Sequence, residues 1–374
     1  MYSEKVSGIL EDREVSEGDT VKISISGEGS RQGVLMPRAK QGNSDCLVLK
    51  LESGYNISYD IERIEDIELI EKSEDREVSG EEIIEREEGL NDVLVLHTGG
   101  TIASRVSYEE GGVKPALEAE DLLQMYPELF EKANIDSRAV SQMLSEDMEP
   151  EHWQEIAGDV FESFDDYDGI IIGHGTDTMQ YTASALSFML KNLDTPVVLV
   201  GAQRSSDRPS TDAAVNLKSA VEFIKEGVPG VFVCMHHSSG DDTVAVHRGT
   251  RVRKMHTSRR DAFRSIGSRP FANVDVETGD VEINKENEIS EGEPVLKDSL
   301  EKNVGFFKVV PGMDKKVLES YRDHEGLVIE GTGLGHMPVD SFDEHTEHHD
   351  EILEAVDEMS EDSVVCMSSQ CIYG

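Results

Sequence analysis

Hydrophobic and polar residues alternate in short runs over the first 70 residues of the chain. Gly, Ser and Asn residues separate the runs, as expected for β-strands joined by turns. The runs are VKISISG (21–27), GVLMP (33–37), CLVLKL (46–51) and YNISYDI (55–61). Short strands at this spacing predict a small β-barrel domain over residues 1–70. Residues 71–91 contain nine acidic side chains and few large apolar ones, which predicts an acidic linker or at most a solvated helix.

From Asp92 onward, uninterrupted apolar runs alternate with helical patterns. An uninterrupted apolar run is typical of a strand that is buried on both faces of a parallel sheet. The strand runs are VLVLH (93–97), GIII (169–172), PVVLVG (196–201) and GVFVCM (230–235). The helical stretches are 149–164, 181–190 and 212–225, the first with Trp153, Ile156 and Val160 on one apolar face. This order predicts an α/β domain over residues 92–282, with helices on both faces of a parallel sheet.

A second linker is predicted over residues 283–300, which are mostly polar and charged. Three further apolar runs follow it and predict the strands of a smaller α/β domain over residues 301–374. These runs are NVGFFKVV (303–310), GLVIEGTG (326–333) and SVVCMS (363–368). The sequence stops at Gly374, directly after a strand, so we expect this last domain to be incomplete as given.

Three polar loops follow strands of the predicted sheet, where ligands of open α/β folds bind. They are Thr98–Ser104, Gly173–Thr178 and the stretch after Asp242 that ends in Arg253-Lys254-Met255-His256. A Thr hydroxyl needs a neighbouring base to become a nucleophile, and a Thr–Asp–Lys cluster can supply one. Backbone N–H groups of the glycine turn at 99–100 can stabilise an oxyanion. The loops therefore favour acyl transfer from an amide or ester, although a Gly-Gly turn can also hold phosphate and a Gly-Thr-Asp turn can simply cap a helix.

The first two loops resemble the signatures of the L-asparaginase family. These signatures are TGGTIAS (98–104) and IIIGHGTDTM (170–179), in this order and about 75 residues apart. The stretches SEDM (145–148) and PVVLVGAQR (196–204) also resemble segments of that family. The resemblance covers about residues 92–374. It implies an α/β, two-domain parallel-sheet fold, here preceded by the β-barrel domain.

The resemblance also implies roles for individual residues. Thr101 is the implied nucleophile, and the second catalytic group comprises Thr176, Asp177 and Lys254. Tyr108 matches a tyrosine in a mobile loop. Ser145 and Glu146 are implied to bind the amino and carboxyl groups of the substrate, together with Asp177.

Two features differ from free asparaginases. In both, the chain resembles one branch of the family, the D subunits of archaeal glutamyl-tRNA(Gln) amidotransferases. Glu146 stands where free asparaginases usually have Gln, and a whole domain precedes the first signature. This branch implies that ammonia released from glutamine or asparagine passes to an E subunit. The E subunit would bind Glu-tRNA(Gln) and use ATP and Mg²⁺, so this chain would hold no cofactor or metal itself. The implied assembly is a homodimer within a heterotetramer.

Two other functions remain open from the sequence. A stand-alone L-asparaginase or glutaminase with an extra domain would release ammonia efficiently without a partner. A non-catalytic scaffold would require the Thr101, Thr176, Asp177 and Lys254 set to be present by chance. The choice between asparagine and glutamine depends on one methylene group, which the sequence does not resolve.

The formal net charge is −42, from 77 acidic and 35 basic residues. An excess of this size fits a halophilic protein that works at very high salt, where charge repulsion is screened, or a protein with a basic partner. It disfavours binding of nucleic acid by the whole surface, because phosphate contacts need Lys and Arg. Residues 248–264 differ locally, with seven basic residues in seventeen. This basic segment could attract anionic substrate to the site, contact RNA, or form salt bridges with the acidic surface.

The four cysteines have no CxxC spacing, which indicates neither a zinc ribbon nor a disulfide framework. The N-terminus has no apolar signal-peptide segment, and no apolar run is long enough to span a membrane. These features predict a reduced cytoplasmic protein without membrane contact. The His- and acid-rich segment 343–350 is more typical of an exposed acidic stretch than of a metal site.

Overall fold

The structure is a computed structural model that describes most of the chain in two compact units. The described residues are 2–13, 15–16, 18–27, 29–36, 45–50, 56–72, 86–99, 104–107, 112–115, 126–204, 211–284 and 292–374. The first unit comprises Met1–Ser265 and Pro270–Lys297, and the second comprises Ile266–Arg269 and Asp298–Gly374. Within the described ranges, no helix is long and apolar enough to cross a membrane.

The N-terminal segment forms a five-stranded antiparallel sheet and one helix. The elements are α1 (Glu4–Asp12), β1 (Thr20–Ile25), β2 (Gly29–Met36), β3 (Cys46–Lys50), β4 (Asn56–Asp60) and β5 (Ile64–Glu71). The strand order is β4-β3-β2-β1-β5, and the residues Val21, Ile23 and Leu47 point into a common core. The predicted strands are confirmed, but β4 and β5 do not pair with each other within the described residues. The described residues thus show a five-stranded antiparallel sheet without closure into the small barrel that we predicted.

The helix α1 was not predicted. It begins after Ser3, whose hydroxyl accepts a hydrogen bond from the Val6 N–H at 3.3 Å. Val6 and Leu10 lie one turn apart on the same face, and both join the core of the sheet. Their helical spacing was the available signal, within a segment otherwise typical of strands.

The central α/β part is built on an eight-stranded mixed sheet. Its strands are β6 (Asn91–His97), β9 (Ala133–Ala139), β10 (Gly169–Gly173), β12 (Pro196–Val200), β13 (Gly230–His236), β14 (Thr243–Arg248), β17 (Ala272–Asp275) and β18 (Val281–Ile283). They lie in the order β18-β17-β14-β13-β12-β10-β6-β9. The five strands from β13 to β9 in this order are parallel. Four of them were predicted as strands of a parallel sheet, and β9 was not. The strands β14, β17 and β18 continue the sheet in antiparallel pairing, which the sequence analysis did not predict.

Helices and smaller strands complete this part. They are β7 (Ser104–Ser107), β8 (Gly112–Pro115), α2 (Pro127–Phe130), α3 (Pro150–Ser163), α4 (Met179–Met189), β11 (Leu190–Lys191), α5 (Ala213–Ile224), β15 (Val252–Lys254), β16 (Phe263–Ser265) and β19 (Val295–Leu296). The helix α5 packs on one face of the sheet, where Phe223 meets Phe232 edge-on with ring centroids 4.9 Å apart. The helix α4 packs against α3 and β13.

The two predicted linkers are only partly within the described residues. Of the segment 71–91, residues 73–85 lie outside them, and of the segment 283–300, residues 285–291 do. The second segment contains the short strand β19, which pairs antiparallel with β11 and was not predicted.

The second unit is a three-stranded parallel sheet with two helices. Its elements are β20 (Val304–Lys308), α6 (Lys315–Glu319), β21 (Gly326–Gly331), α7 (His349–Asp362) and β22 (Val364–Ser369). Phe307, Leu327 and Ile329 form its core with the buried faces of both helices. Residues 343–350 are mostly exposed, and within the described chain no three His, Cys, Asp or Glu side chains form a group that could hold a metal ion.

Candidate active site

The first two predicted loops lie side by side at the carboxyl edge of the parallel sheet. Gly173, the last residue of β10, pairs with His97 on one side and Val200 on the other, so the loops after these strands begin level with each other. Both the N–H and the hydroxyl of Thr98 donate to the Gly173 carbonyl, at 3.0 and 3.1 Å. The start of the TGGT loop is thereby joined to the start of the HGTDT loop.

Lys254 joins the second of these loops from 78 residues further along the chain. Its Nζ atom lies 2.8 Å from the Thr176 hydroxyl oxygen and 2.7 Å from an Asp177 carboxylate oxygen. The Lys254 side chain is only 11% exposed, whereas that of Asp177 is 68% exposed. The amine is thus enclosed beside a hydroxyl, and the carboxylate that orients it faces solvent.

Ser145 lies directly against the HGTDT loop. The Thr178 hydroxyl donates to the Ser145 carbonyl at 2.6 Å. A Cβ on Gly175 would lie 2.7 Å from the Ser145 Cβ, so glycine is required for this approach. Ser145 is buried, while its neighbour Glu146 is exposed and makes no hydrogen bond or ion pair with any residue that the structure describes. The Glu146 carboxylate is therefore free to bind a ligand.

The predicted nucleophile Thr101 and the predicted mobile-loop Tyr108 lie outside the described residues. The structure therefore places Thr176, Asp177 and Lys254 together, with Ser145 adjacent.

Gly99, at the start of the TGGT loop, has a φ of +100° and lies against the backbone of Met143. A Cβ there would be 2.5 Å from the Met143 carbonyl oxygen. We expect Gly99→Ala to lower stability by more than the roughly 1–3 kcal/mol of a left-handed backbone alone. Gly89→Ala is the matched control, because Gly89 has a φ of +98° and nothing within 4 Å of the added carbon. Denaturant unfolding of the two variants measures the difference, and equal losses would contradict the Met143 contact.

A buried network behind the HGTDT loop was missed by sequence reasoning. His174 is almost fully buried, and its Nδ1 lies 2.7 Å from the Gly175 carbonyl oxygen. Its Nε2 lies 2.8 Å from the Thr182 hydroxyl, which also accepts a hydrogen bond from Trp153 Nε1 at 3.0 Å. Burial lowers the pKa of His174 to about 4, although the Gly175 hydrogen bond opposes this. The imidazole is therefore neutral and carries its proton on Nδ1, because a carbonyl can only accept.

This network fixes the loop that carries Thr176 and Asp177 to the helices α3 and α4. Trp153 was predicted as a core residue, but it is only partly buried, and its indole N–H begins the chain of hydrogen bonds to the loop. No local pattern relates Trp153 to Thr182, 29 residues away, so the network had no sequence signal.

Asp212 performs a similar task for the loop after β12. It is fully buried, and its carboxylate accepts hydrogen bonds from the backbone N–H groups of Gln203 and Arg204, both at 3.0 Å. A buried carboxylate is stable only when such donors surround it. Asp212 therefore holds the loop that resembles the family segment PVVLVGAQR.

The basic segment 248–264 includes the two-stranded ribbon β15–β16. Most of the arginines at its tip are paired, since Asp261 contacts Arg259 at 2.8 Å and Arg264 at 2.6 Å, and Asp241 contacts Arg260. Burial alone would raise the pKa of Asp261, but the two guanidinium groups outweigh it and hold the pKa below its usual range. These contacts favour the salt-bridge interpretation for the tip.

Two arginines at the base of the ribbon differ from the paired arginines at its tip. Arg251 and Arg253 are exposed and have no ion-pair partner within the part of the chain that the structure describes. They lie next to Lys254 in the sequence, where they can raise the local positive potential.

Comparison with known proteins agrees with this geometry. The family model "Asparaginase, N-terminal" matches residues 92–289, and the model "GatD N-terminal domain" matches residues 15–70. The solved L-asparaginase from Thermococcus kodakarensis is 38% identical, with a TM-score of 0.67 over 76% of this chain and 81% of that one. L-asparaginase I from Vibrio cholerae is 28% identical, with a TM-score of 0.62 over 76% and 82%. Fold and site together define a protein of the L-asparaginase class.

Curated relatives resolve the family further. The D subunit of glutamyl-tRNA(Gln) amidotransferase from Pyrococcus abyssi is 45% identical over 380 residues, which is 99% of this chain and 84% of the relative. Its counterpart from Methanopyrus kandleri is 45% identical over 388 residues, with coverage of 100% and 82%. The chain belongs to the family of glutamyl-tRNA(Gln) amidotransferase D subunits.

Proposed function

We propose that this chain is the amide-hydrolysing subunit of a tRNA-dependent amidotransferase, a glutaminase- or asparaginase-type enzyme. The observation that carries the proposal is the Lys254 amine, held between Thr176 and Asp177 in the loop that is joined to the TGGT loop through Thr98 and Gly173. The matches to amidotransferase D subunits over nearly the whole chain support the amidotransferase context.

In the proposed reaction the Thr101 hydroxyl oxygen attacks the side-chain amide carbon of glutamine or asparagine. The hydroxyl proton passes to the amide nitrogen, which leaves as ammonia, and an acyl ester forms on Thr101. Water then attacks this ester, yielding glutamate or aspartate and restoring Thr101. Backbone N–H groups of the glycine turn stabilise the oxyanion in both steps.

The group Thr176–Asp177–Lys254 provides the base. The Lys254 amine lies 2.8 Å from the Thr176 hydroxyl, through which a proton can pass, and the Asp177 carboxylate orients the amine. Asp177, Ser145 and Glu146 bind the amino and carboxyl groups of the substrate, and Tyr108 closes over it. The free carboxylate of Glu146 supports a contact with the substrate ammonium.

The remaining proposals concern partners. Ammonia passes to an E subunit, which binds Glu-tRNA(Gln), uses ATP and Mg²⁺, and forms Gln-tRNA(Gln), while this chain holds no cofactor. The assembly is a cytoplasmic heterotetramer that contains a homodimer of this chain. The names of the relatives support the tRNA-dependent reaction. We also propose halophilic adaptation, supported by the net charge of −42.

The second candidate is a stand-alone L-asparaginase or glutaminase. Its support is the likeness to solved L-asparaginases, of which one is 38% identical. The match of residues 15–70 to the GatD N-terminal domain favours the first candidate.

The experiment that separates the two is an ammonia-release assay in molar KCl with glutamine or asparagine. The purified chain is assayed alone and then with the E subunit, Glu-tRNA(Gln) and ATP. We expect release to depend on the partner and to appear as Gln-tRNA(Gln). Fast release by the chain alone, unchanged by the partner, would instead establish a free amidohydrolase. The same assay at low salt measures the proposed salt requirement.

Thr101→Ala is the control for the chemistry in both cases. We expect it to abolish release, because no other hydroxyl then stands at the predicted nucleophile position. Release that survives in Thr101→Ala would overturn the nucleophile assignment.

A further inference from the structure

The strand that carries Lys254 is not part of the eight-stranded sheet. The strand β15 has three residues and pairs only with β16 within the described chain, with Lys254 opposite Phe263. A short two-stranded ribbon has little stability of its own. The position of Lys254 at the site therefore depends on contacts of the ribbon with the rest of the domain.

Two contacts attach this ribbon to α4. At its base, a Cβ on Gly249 would lie 2.6 Å from the Ser187 hydroxyl and 2.7 Å from the Ala183 carbonyl, so the turn before β15 lies tightly on the helix. At the other end, the backbone N–H of Lys254 donates to the side-chain oxygen of Gln180 at 2.7 Å. The second contact involves the very residue that reaches Thr176 and Asp177.

The direction of the Lys254 N–H explains why a side chain is needed. The Met255 N–H donates to the Ala262 carbonyl across the ribbon at 2.7 Å. Successive N–H groups of a strand point to opposite edges, so the Lys254 N–H faces away from β16. Gln180 therefore supplies the acceptor that a further strand would otherwise provide.

Gln180 is the second residue of α4, four positions after Thr176. The helix that follows the HGTDT loop thus fixes the backbone of the lysine that the loop binds through its side chain. The helix α4 therefore positions both the loop and the lysine. The sequence gives no sign of this, because Gln180 and Lys254 are 74 residues apart.

We infer that Gln180 is a positioning residue for Lys254, which it holds at hydrogen-bond distance from Thr176 and Asp177 during amide hydrolysis. The inference rests on the proposed function and deepens it. Gln180 touches no reacting atom in this mechanism, and its effect is transmitted through the backbone of Lys254.

The test compares Gln180→Met, which removes the acceptor at similar size, with Gln180→Glu, which retains an oxygen there. Ammonia release is measured in the assembly that supports it. We expect Gln180→Met to lower kcat by about 10- to 100-fold, because a misplacement of about 1 Å has effects of this order. KM should change by less than about threefold, since substrate contacts remain. Ser184→Ala, one turn along the same helix, should behave as wild type.

Gln180→Glu should recover most of this loss. The carboxylate oxygen of Glu can accept the hydrogen bond from the Lys254 N–H in place of the amide oxygen of Gln180. A role in helix packing alone would not lower kcat with KM unchanged and then be rescued by an acceptor oxygen. The inference is overturned if Gln180→Met keeps kcat within about twofold of wild type, or if Gln180→Glu is no better than Gln180→Met. Lys254→Met and Thr101→Ala test the proposed function separately. If either variant keeps its activity, the proposed function is wrong. If both lose activity while Gln180→Met is unaffected, only the inference about Gln180 is wrong.

Discussion

Lys254→Met is expected to lower kcat for ammonia release by about 10²–10⁴-fold, the usual contribution of a positioned acid–base group. The variant retains the buried aliphatic stem but removes the amine that lies 2.8 Å from Thr176. Asp177 then has no cation to orient, and the hydroxyl loses its route for proton transfer. Steady-state release of ammonia from glutamine, measured in the full assembly, gives the change.

Two companion variants distinguish a role of Lys254 as a base from a role of its positive charge alone. Lys254→Arg retains a cation that cannot give up its proton, so it should remain nearly as inactive as Lys254→Met. Arg253→Met removes the same charge from the next residue, whose side chain is exposed, and should retain most of the activity. Recovery of activity in Lys254→Arg would mean that Lys254 acts only through its charge, and the proposed base would have to be sought elsewhere.

Acidification from pH 7 to pH 5 is expected to destabilise the folded chain by about 6 kcal/mol through three buried histidines. Burial is the main cause that lowers the pKa of His97 and His174 to about 4 and that of His247 to about 3, the last with a contribution from the charges of His237 and Arg264. In the unfolded chain these histidines take up protons near pH 6.5. Their neutral, buried forms therefore contribute fully to stability above that pH, and the contribution is lost as the pH falls towards 4. At pH 5 each histidine lowers the free energy of unfolding by about 2 kcal/mol relative to pH 7.

Denaturant unfolding in molar KCl at the two pH values measures this loss, with salt screening the acidic surface. His97→Asn should reduce the difference between pH 7 and pH 5 by about 2 kcal/mol, whatever its own effect on stability. Equal stability at pH 7 and pH 5 would show that these histidines do not titrate on unfolding as their burial requires.

The parallel strands of the central sheet could be predicted because each is an apolar run without alternation. VLVLH, GIII and PVVLVG correspond to β6, β10 and β12, and their loops meet at one edge as the topology of such sheets requires. The meeting of Lys254 with Thr176 and Asp177 followed from the family resemblance, because spacing alone could not bring residues 78 positions apart together.

Other elements had weaker signals or none. The strands β14, β17 and β18 pair antiparallel, which the alternation of strands and helices before them did not suggest. The strand β19 has only two residues and lies in a polar segment. The hydrogen bonds from Gln180 to Lys254 and from His174 to Thr182 join residues that no periodicity relates.

The separation of Lys254 from the two signature loops has a consequence during synthesis. A ribosome releases β6, β10 and both loops long before the ribbon that carries the lysine, which follows the β13–β14 hairpin. A nascent chain with both signatures exposed therefore still lacks Lys254, the base of the proposed reaction. Under the proposed function, the site is therefore complete only after translation has passed residue 265 and β15 has paired with β16.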